Sequence, residues 1–216
     1  MSQDRWGFDQ WAKSYDEDVI KAARAEDWIF RDYTRVLDKI VEYCDLDGNS
    51  YSSVLDIGVG TGNLASRFLS IGMQVIGIDP SEEMRYICQQ KHPDIMVVDG
   101  DFLKIPLYLP HVDLIVSAYA FHHLTAAEKW EAVLVMKRFL KPKGRIVIAD
   151  LMFRNATEGR RIKQALSEAG RTDILNEFED EYPGLFEEMT LIFSGEGFSF
   201  QGERLTESIW IICAFL

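Results

Sequence analysis

Several polar side chains in this chain follow apolar runs that are typical of buried strands. Asp56, Asp79 and Asp101 each lie at or just after the end of such a run. Buried carboxylates are costly when they are unpaired, so three of them at consecutive strand ends are hard to explain as core residues. His122 and His123 follow the next apolar run, and an imidazole that titrates near neutral pH suits proton removal. The pattern indicates one ligand site at the ends of several strands.

A glycine-rich loop directly follows Asp56 and contains Gly58, Gly60 and Gly62. Glycines let the backbone turn sharply and approach a ligand, and a helix that follows offers free N–H groups. The dinucleotide fingerprint would need a further glycine where Asn63 stands. Asp56 would also face a pyrophosphate, and like charges about 4 Å apart cost roughly 4 kcal/mol at an effective dielectric constant near 20. The loop therefore favours a ligand that carries an ammonium group.

The other two acids suit the remaining parts of a nucleoside. Asp79 follows Gly58 by 21 residues, the spacing at which a carboxylate accepts hydrogen bonds from ribose hydroxyls. Asp101 comes just after the third apolar run and could meet the edge of a base. Ribose recognition fits a dinucleotide as well as an ammonium-bearing nucleoside, so Asp79 alone does not separate the two.

The elements that position these residues are visible as strands alternating with helices. Continuous apolar runs are typical of strands buried on both faces, and alternation with amphipathic stretches predicts an α/β, doubly wound, mostly parallel sheet with helices on both faces. Thr125 and Glu128 form a capping-box pattern at the start of one helix. The predicted strands are 53–57, 74–79, 95–99, 112–117 and 145–150, and the predicted helices between them are 63–70, 81–91 and 125–140.

The 216 residues are expected to form one domain with three parts. Residues 1–50 are predicted to be an N-terminal helical cap with a helix over 28–44, residues 51–150 the ligand-binding core, and residues 151–216 C-terminal helices and a closing antiparallel strand pair. A helix is expected over 157–170, and strands over 198–205 and 207–215. Residues 172–203 carry nine acidic and no basic side chains. They are expected to form a solvated face, or alternatively to border the acceptor pocket.

The net charge of -12 argues against nucleic acid and against an anionic membrane surface as partners. No apolar run approaches the roughly 20 residues of a membrane helix, and the first residues lack an apolar signal core, so a cytoplasmic protein is expected. The predicted partner is a small-molecule substrate, and the chain is expected to act as a monomer or homodimer.

Taken in order, the motifs of this chain resemble those of the class I S-adenosylmethionine-dependent methyltransferases. The resemblance runs from about Phe8 to the C-terminus. The chain is similar in particular to small bacterial methyltransferases related to those of ubiquinone and menaquinone biosynthesis. The matching segments are 54–62, 76–79, 98–102, 112–117, 140–144 and the N-terminal segment 8–16. In the turn at 140–144, Lys143 stands where that family more often has glycine.

The resemblance implies the cofactor S-adenosyl-L-methionine, with S-adenosyl-L-homocysteine as its product, and it implies which residues bind it. Asp56, Gly58 and Gly60 would hold the methionine part, Asp79 the ribose, Asp101 and Phe102 the adenine, and the carbonyl of Ala118 the ammonium group. Tyr15 would contact the cofactor or close over the site. Packing of Tyr15 with Trp11 and Phe8 in the core is an equally good interpretation.

Methyl transfer from a sulfonium group is an in-line displacement, and positioning alone can supply roughly 7 to 11 kcal/mol of the acceleration. A base is needed only if the acceptor must lose a proton, and His123 and His122 are the candidates. Either histidine could instead pack under the loop or fix it by hydrogen bonds. No metal site is predicted, because adjacent residues rarely converge on one ion and no set of ligands with matching spacing is evident.

The leading hypothesis is therefore a methyltransferase that acts on a small molecule. A non-catalytic S-adenosylmethionine-binding module is the alternative. A nucleotide-linked oxidoreductase is disfavoured by Asn63, Asp56 and the closing strand pair.

Overall fold

The computed structural model describes residues 7–25, 27–46, 50–178 and 181–216. The start of the predicted N-terminal cap and residues 179–180 of the acidic segment lie outside these ranges. In chain order the elements are α1 (Phe8–Trp11), α2 (Tyr15–Arg24), α3 (Tyr33–Tyr43), β1 (Ser53–Ile57), α4 (Ala65–Ser70), β2 (Gln74–Asp79), α5 (Glu82–Lys91), β3 (Met96–Asp99), β4 (Val112–Ala118), α6 (Ala126–Phe139), β5 (Leu140–Phe153), α7 (Ala156–Glu168), α8 (Thr172–Glu177), β6 (Gly184–Leu185), α9 (Phe186–Gly195), β7 (Ser199–Arg204) and β8 (Ile209–Phe215).

The strands form one sheet in the order β3-β2-β1-β4-β5-β8-β7, and β6 pairs with the end of β5. Neighbours from β3 to β5 are parallel, whereas β8 is antiparallel to both β5 and β7. Two apolar cores are assembled from the sheet and the helices that cover it. The predicted mostly parallel, Rossmann-like sheet with a closing antiparallel pair is confirmed.

Local sequence explains most element boundaries. All five residues of β1 are buried, as its continuous apolar character predicts. The capping box of Thr125 and Glu128 is formed at the start of α6. The main difference lies in β5, which begins at Leu140 and continues to Phe153 rather than covering 145–150. Its last residues are buried and pair with β6, so Asp150 lies inside the strand instead of at its end.

In the described part of the chain, no helix combines the length and apolar character that crossing a membrane requires.

Candidate functional site

A cavity of about 420 Å³ opens at the carboxyl ends of the parallel strands, beneath α1 and α2. This is the edge of the sheet at which doubly wound proteins bind ligands. Its lining includes nine of the ten residues that the sequence singled out; Asp56 lies just behind it. The nine are Tyr15, Gly58, Gly60, Asp79, Asp101, Phe102, Ala118, His122 and His123.

The glycine loop presents main-chain atoms, without covering side chains, at the wall of the cavity. Gly58 has φ 74°, and a Cβ atom there would lie 2.6 Å from the Cβ of Ala120. Gly60 has φ 54°, with open space where its side chain would be. Both conformations favour glycine. A ligand can therefore approach the main chain of the loop closely.

Asp56 is a buried carboxyl group that lacks a hydrogen-bond donor. Its exposed fraction is 1%, and neither oxygen has a hydrogen-bond partner among the described residues. Burial, together with the charge of Asp79, raises the pKa of Asp56 to about 8. The carboxyl group faces a small cavity between the glycine loop, Tyr15, Tyr33 and Ala118. An ammonium group entering that cavity would supply the missing donors, so this end of the site fits the methionine part of S-adenosylmethionine.

Asp79 and Asp101 both use carboxylate oxygens to hold loops in place. Asp79 accepts hydrogen bonds from the N–H groups of Gly60 (2.9 Å) and Ser81 (2.9 Å). Asp101 Oδ1 accepts from the N–H groups of Leu103 (2.8 Å) and Lys104 (2.9 Å). Carboxylates have further lone pairs, so both side chains can still accept from a ligand in the cavity. Their contacts to ribose and adenine stay predictions.

Aromatic side chains from the N-terminal helices close the opposite wall. The ring of Tyr15 packs edge-on against Trp11 with centroids 4.8 Å apart. Burial raises the pKa of Tyr15 well above its ordinary value, and Tyr33 raises it further. Tyr119 has φ 53°, and its buried hydroxyl has no hydrogen-bond partner among the described residues. Tyr15 therefore packs with Trp11 and also lines the cavity, and its contact with the cofactor stays a prediction.

Two aspartates fasten the N-terminal helices to the core. Asp9 accepts a hydrogen bond from Ser81 Oγ (2.6 Å). Asp16 accepts from Thr61 Oγ1 (2.6 Å) and Asn63 Nδ2 (3.0 Å), and it lies 2.6 Å from Lys91 Nζ. Asn63 is the residue that breaks the dinucleotide fingerprint, and its amide is used to hold α2 on the glycine loop.

The two adjacent histidines lie on a 3-10 helix, Phe121–His123, at the other end of the cavity. His122 Nδ1 makes a short contact with the buried carboxylate of Asp150 in β5. Burial would lower the pKa of His122, but the charge and hydrogen bond of Asp150 outweigh burial and raise it. Burial, followed by the neighbouring His122, lowers the pKa of His123. The sequence identified both histidines but gave no reason to pair His122 with Asp150.

Glu181 joins the two histidines from the acidic segment. Its Oε2 atom lies 3.1 Å from His122 Nε2 and 3.0 Å from His123 Nδ1. Among the described acids of 172–203, Glu181 alone lines the cavity. This supports, for one residue, the hypothesis that the acidic segment borders the acceptor pocket. Sequence reasoning did not single out Glu181, because nothing in the local pattern distinguishes it from its acidic neighbours.

Comparison with known proteins agrees with this geometry. Residues 54–144 match the family described as Methyltransferase domain. An uncharacterized methyltransferase of Alkaliphilus oremlandii is 39% identical over 208 residues, which is 96% of this chain and 94% of the relative. The uncharacterized methyltransferase YrrT of Halobacillus halophilus is 33% identical over 207 residues, covering 96% of this chain and 94% of the relative.

Solved structures share the fold. Magnesium protoporphyrin IX methyltransferase from Synechocystis PCC 6803 with bound SAM has a TM-score of 0.68 at 18% identity, covering 98% of this chain and 91% of that one. Human N-acetylserotonin methyltransferase in complex with SAM has a TM-score of 0.66 at 21% identity, covering 99% of this chain and 59% of that one. The chain belongs to the class I S-adenosylmethionine-dependent methyltransferases. It is an enzyme of that class, and S-adenosylmethionine is its cofactor. The narrower resemblance to the quinone-biosynthesis type stays a prediction.

Proposed function

We propose that this enzyme methylates a small molecule, which binds at the end of the cavity formed by Phe8, His122, His123 and Glu181. The observation that carries the proposal is that the cavity lined by the predicted cofactor-binding residues is also lined by groups that the cofactor does not account for. These are the ring of Phe8, the imidazoles of His122 and His123, and the carboxylate of Glu181. A cavity of about 420 Å³ lies within the range of small-molecule sites, roughly 300 to 1,000 Å³.

S-adenosylmethionine supplies, when bound, a methyl group that is already activated on a positively charged sulfur. Asp56 and the carbonyl of Ala118 are proposed to hold its ammonium group, and the backbone of Gly58 and Gly60 to contact the methionine part. Asp79 is proposed to bind the ribose, and Asp101 with Phe102 the adenine. Phe102 is 4% exposed and packs edge-on against Phe121, so its ring offers a fixed wall.

The acceptor end is proposed to deal with the acceptor's proton. Both ring nitrogens of His122 lie near carboxylates, Nδ1 at Asp150 and Nε2 at Glu181. His122 is therefore proposed to act through Glu181. His123 is the residue proposed to meet the acceptor directly. Phe8, whose ring centroid lies 5.1 Å from that of His123, would cover the acceptor and exclude water.

The proposal is tested by incubating the full chain with methyl-labelled S-adenosylmethionine and separated small-molecule and macromolecular fractions of a cell extract. Label is expected in a small-molecule product. Asp79→Asn is expected to reduce the labelling strongly, whereas substitution of the exposed Asp94 in the turn after α5, Asp94→Asn, should leave it unchanged. Label confined to protein or nucleic acid would contradict the small-molecule acceptor.

A further inference from the structure

Three side chains that can bind metal ions converge at the acceptor end. His122, His123 and Glu181 each offer one ligand atom, and these atoms lie within 4.8 Å of one another. The sequence argued against a metal on the ground that adjacent histidines rarely converge. Here they do converge, and the third group comes from a distant segment that local spacing could not have indicated.

The two separations that involve Glu181 are close to those between neighbouring ligands of one metal ion. Zinc binds imidazole nitrogen and carboxylate oxygen at 2.0 to 2.2 Å, so two tetrahedral ligands lie about 3.3 Å from each other. Glu181 Oε2 lies 3.1 Å from His122 Nε2 and 3.0 Å from His123 Nδ1. The three ligand atoms all lie within 4.8 Å of one another, so rotation of the side chains is needed to bring all of them onto one ion.

Glu181 Oε2 is a buried acceptor whose near neighbours do not satisfy it. Although two imidazole nitrogens are close, no donor among the described residues reaches it in hydrogen-bond geometry. Buried polar atoms are nearly always paired, and an exception calls for an explanation such as an ion. A cation between the carboxylate and the two rings would satisfy all three groups at once.

Asp150 supplies the support that metal-binding histidines usually have. Its carboxylate is 1% exposed and accepts hydrogen bonds from the N–H groups of His122 (3.0 Å) and Leu151 (2.6 Å). The same carboxylate contacts His122 Nδ1. With its proton on Nδ1, His122 directs the lone pair of Nε2 toward Glu181. A carboxylate behind a metal-bound histidine fixes the tautomer and ring orientation in this way.

The segment that carries Glu181 is held in place by hydrogen bonds to the main chain on either side of it. Tyr182 N donates to His122 O (2.8 Å), and the buried ammonium group of Lys129 donates to Tyr182 O (2.6 Å) and to Leu124 O. With neutral imidazoles, Asp150, Glu181 and Lys129 leave one net negative charge around the cluster. That balance favours a cation.

We propose that His122, His123 and Glu181 bind one divalent transition-metal ion, oriented by Asp150, with an open coordination position toward the acceptor end of the cavity. Three nitrogen and oxygen ligands with an open position are typical of catalytic zinc sites. All three residues line the cavity. The ion's role, which rests on the proposed function, is to bind the oxygen or sulfur of the acceptor, whose proton then passes to solvent water. Without an ion, proton removal falls to His123 as proposed above.

Metal binding is measured on the untagged full chain after treatment with a chelator. Titration with Zn²⁺ in a calorimeter is expected to give one saturable site. Co²⁺ is expected to give the visible absorption of a low-symmetry, four- or five-coordinate ion. Glu181→Gln and His123→Gln should each weaken Zn²⁺ binding at least tenfold. Glu188→Gln on the same acidic segment and the distant His111→Gln are the matched controls, and their affinities should not change.

A folding defect is separated from ligand loss by circular dichroism and by binding of S-adenosylhomocysteine, both of which Glu181→Gln and His123→Gln should retain. Absence of a saturable Zn²⁺ site in the wild-type chain, or equal affinity in the ligand and control variants, would overturn the metal site. Methylation of a small molecule by a chain that binds no metal would leave the proposed function intact. Tight metal binding without any methylated small molecule would support the metal site and contradict the proposed function.

Discussion

Asp56 and Asp79 lie at the ends of the adjacent parallel strands β1 and β2, but their carboxyl groups are satisfied to different extents. Asp79 accepts from Gly60 and Ser81, whereas the buried carboxyl group of Asp56 has no hydrogen bond of good geometry within the described part of the chain. The charge of Asp79 therefore adds to burial in raising the pKa of Asp56 to about 8. With this raised pKa, Asp56 has to release a proton before it can pair with a bound ammonium group.

Cofactor affinity should consequently depend on pH. Below about pH 8, Asp56 must lose its proton before it can pair with an ammonium group, so the affinity for S-adenosylhomocysteine should rise with pH by up to about tenfold per unit. Above that pH the effect should level off. Calorimetric titration at several pH values measures it. Asp56→Asn should bind more weakly and without this dependence, and a wild-type affinity that is constant from pH 6 to 8 would contradict the prediction.

The same proton should affect stability. The folded pKa of Asp56 is about 8 and the unfolded value is 3.8. Between these values the folded state binds more protons than the unfolded state, so this group lowers stability as pH rises. Asparagine does not ionise. In urea unfolding at pH 8, the free energy of unfolding of Asp56→Asn should therefore exceed that of the wild-type chain by roughly 2 kcal/mol or more. The exposed Asp94→Asn should show no such gain.

The contacts of Asp16 predict a second effect on the cofactor. Its carboxylate binds Thr61, Asn63 and Lys91, which ties α2 and hence Tyr15 to the glycine loop. Asp16→Ala should weaken S-adenosylhomocysteine binding by about 1 to 2 kcal/mol, since charge-assisted bonds to a part-buried group are lost. Glu17→Ala, one residue along and largely exposed, is the matched control. An equal loss in both variants would show that Asp16 has no special role.

The sequence predicted for a physical reason which strand-end residues would meet at the cavity. Apolar runs mark buried parallel strands, and the residues that follow such strands meet at one edge of the sheet. Asp56, Gly58 and Asp79 could therefore be placed without knowing any long-range contact. The acids at strand ends also separated an ammonium-bearing ligand from a dinucleotide.

The acceptor end depends on contacts that no local pattern contains. Glu181 reaches the histidines from a coil segment, and the pairing of Asp150 with His122 depends on β4 and β5 being neighbours in the sheet. Asp16 and Asn63 are 47 residues apart, and each has an ordinary local explanation by itself. Pairings of this kind are set by tertiary packing, which is why the substrate end was the less predictable half.

Asp113 should be a main source of acid sensitivity that is unrelated to catalysis. Burial would raise its pKa, but hydrogen bonds from Ser53 and Ser52 and from the ammonium group of Lys141 outweigh burial and lower the pKa to about 2. A folded pKa below the unfolded value of 3.8 contributes stability above about pH 4, and this contribution is lost as pH falls through the folded value. Asp113→Asn should cost about 2 kcal/mol at pH 7.

Urea unfolding at pH 7 and at pH 3 measures this contribution. The difference between wild type and Asp113→Asn should be smaller at pH 3 than at pH 7, because the unfolded wild-type chain is then largely protonated as well. Asp94→Asn should stay within about 0.5 kcal/mol of the wild type at both pH values. A constant difference at the two pH values would mean that Asp113 acts by packing rather than by charge.

Lys143 occupies a backbone conformation that costs free energy. Its φ is 65°, in the left-handed region that favours glycine. A residue with a side chain destabilises the folded state by roughly 1 to 2 kcal/mol in this conformation. Glycine avoids that cost, but its greater freedom in the unfolded chain lowers the stability by roughly 0.5 to 1 kcal/mol. Lys143→Gly should therefore stabilise the protein by about 0.5 to 1 kcal/mol, seen as a higher urea midpoint. Lys143→Ala removes the same charge but keeps a Cβ atom, so it should give no gain. Equal stabilisation by alanine and glycine would show that charge, not backbone strain, is responsible.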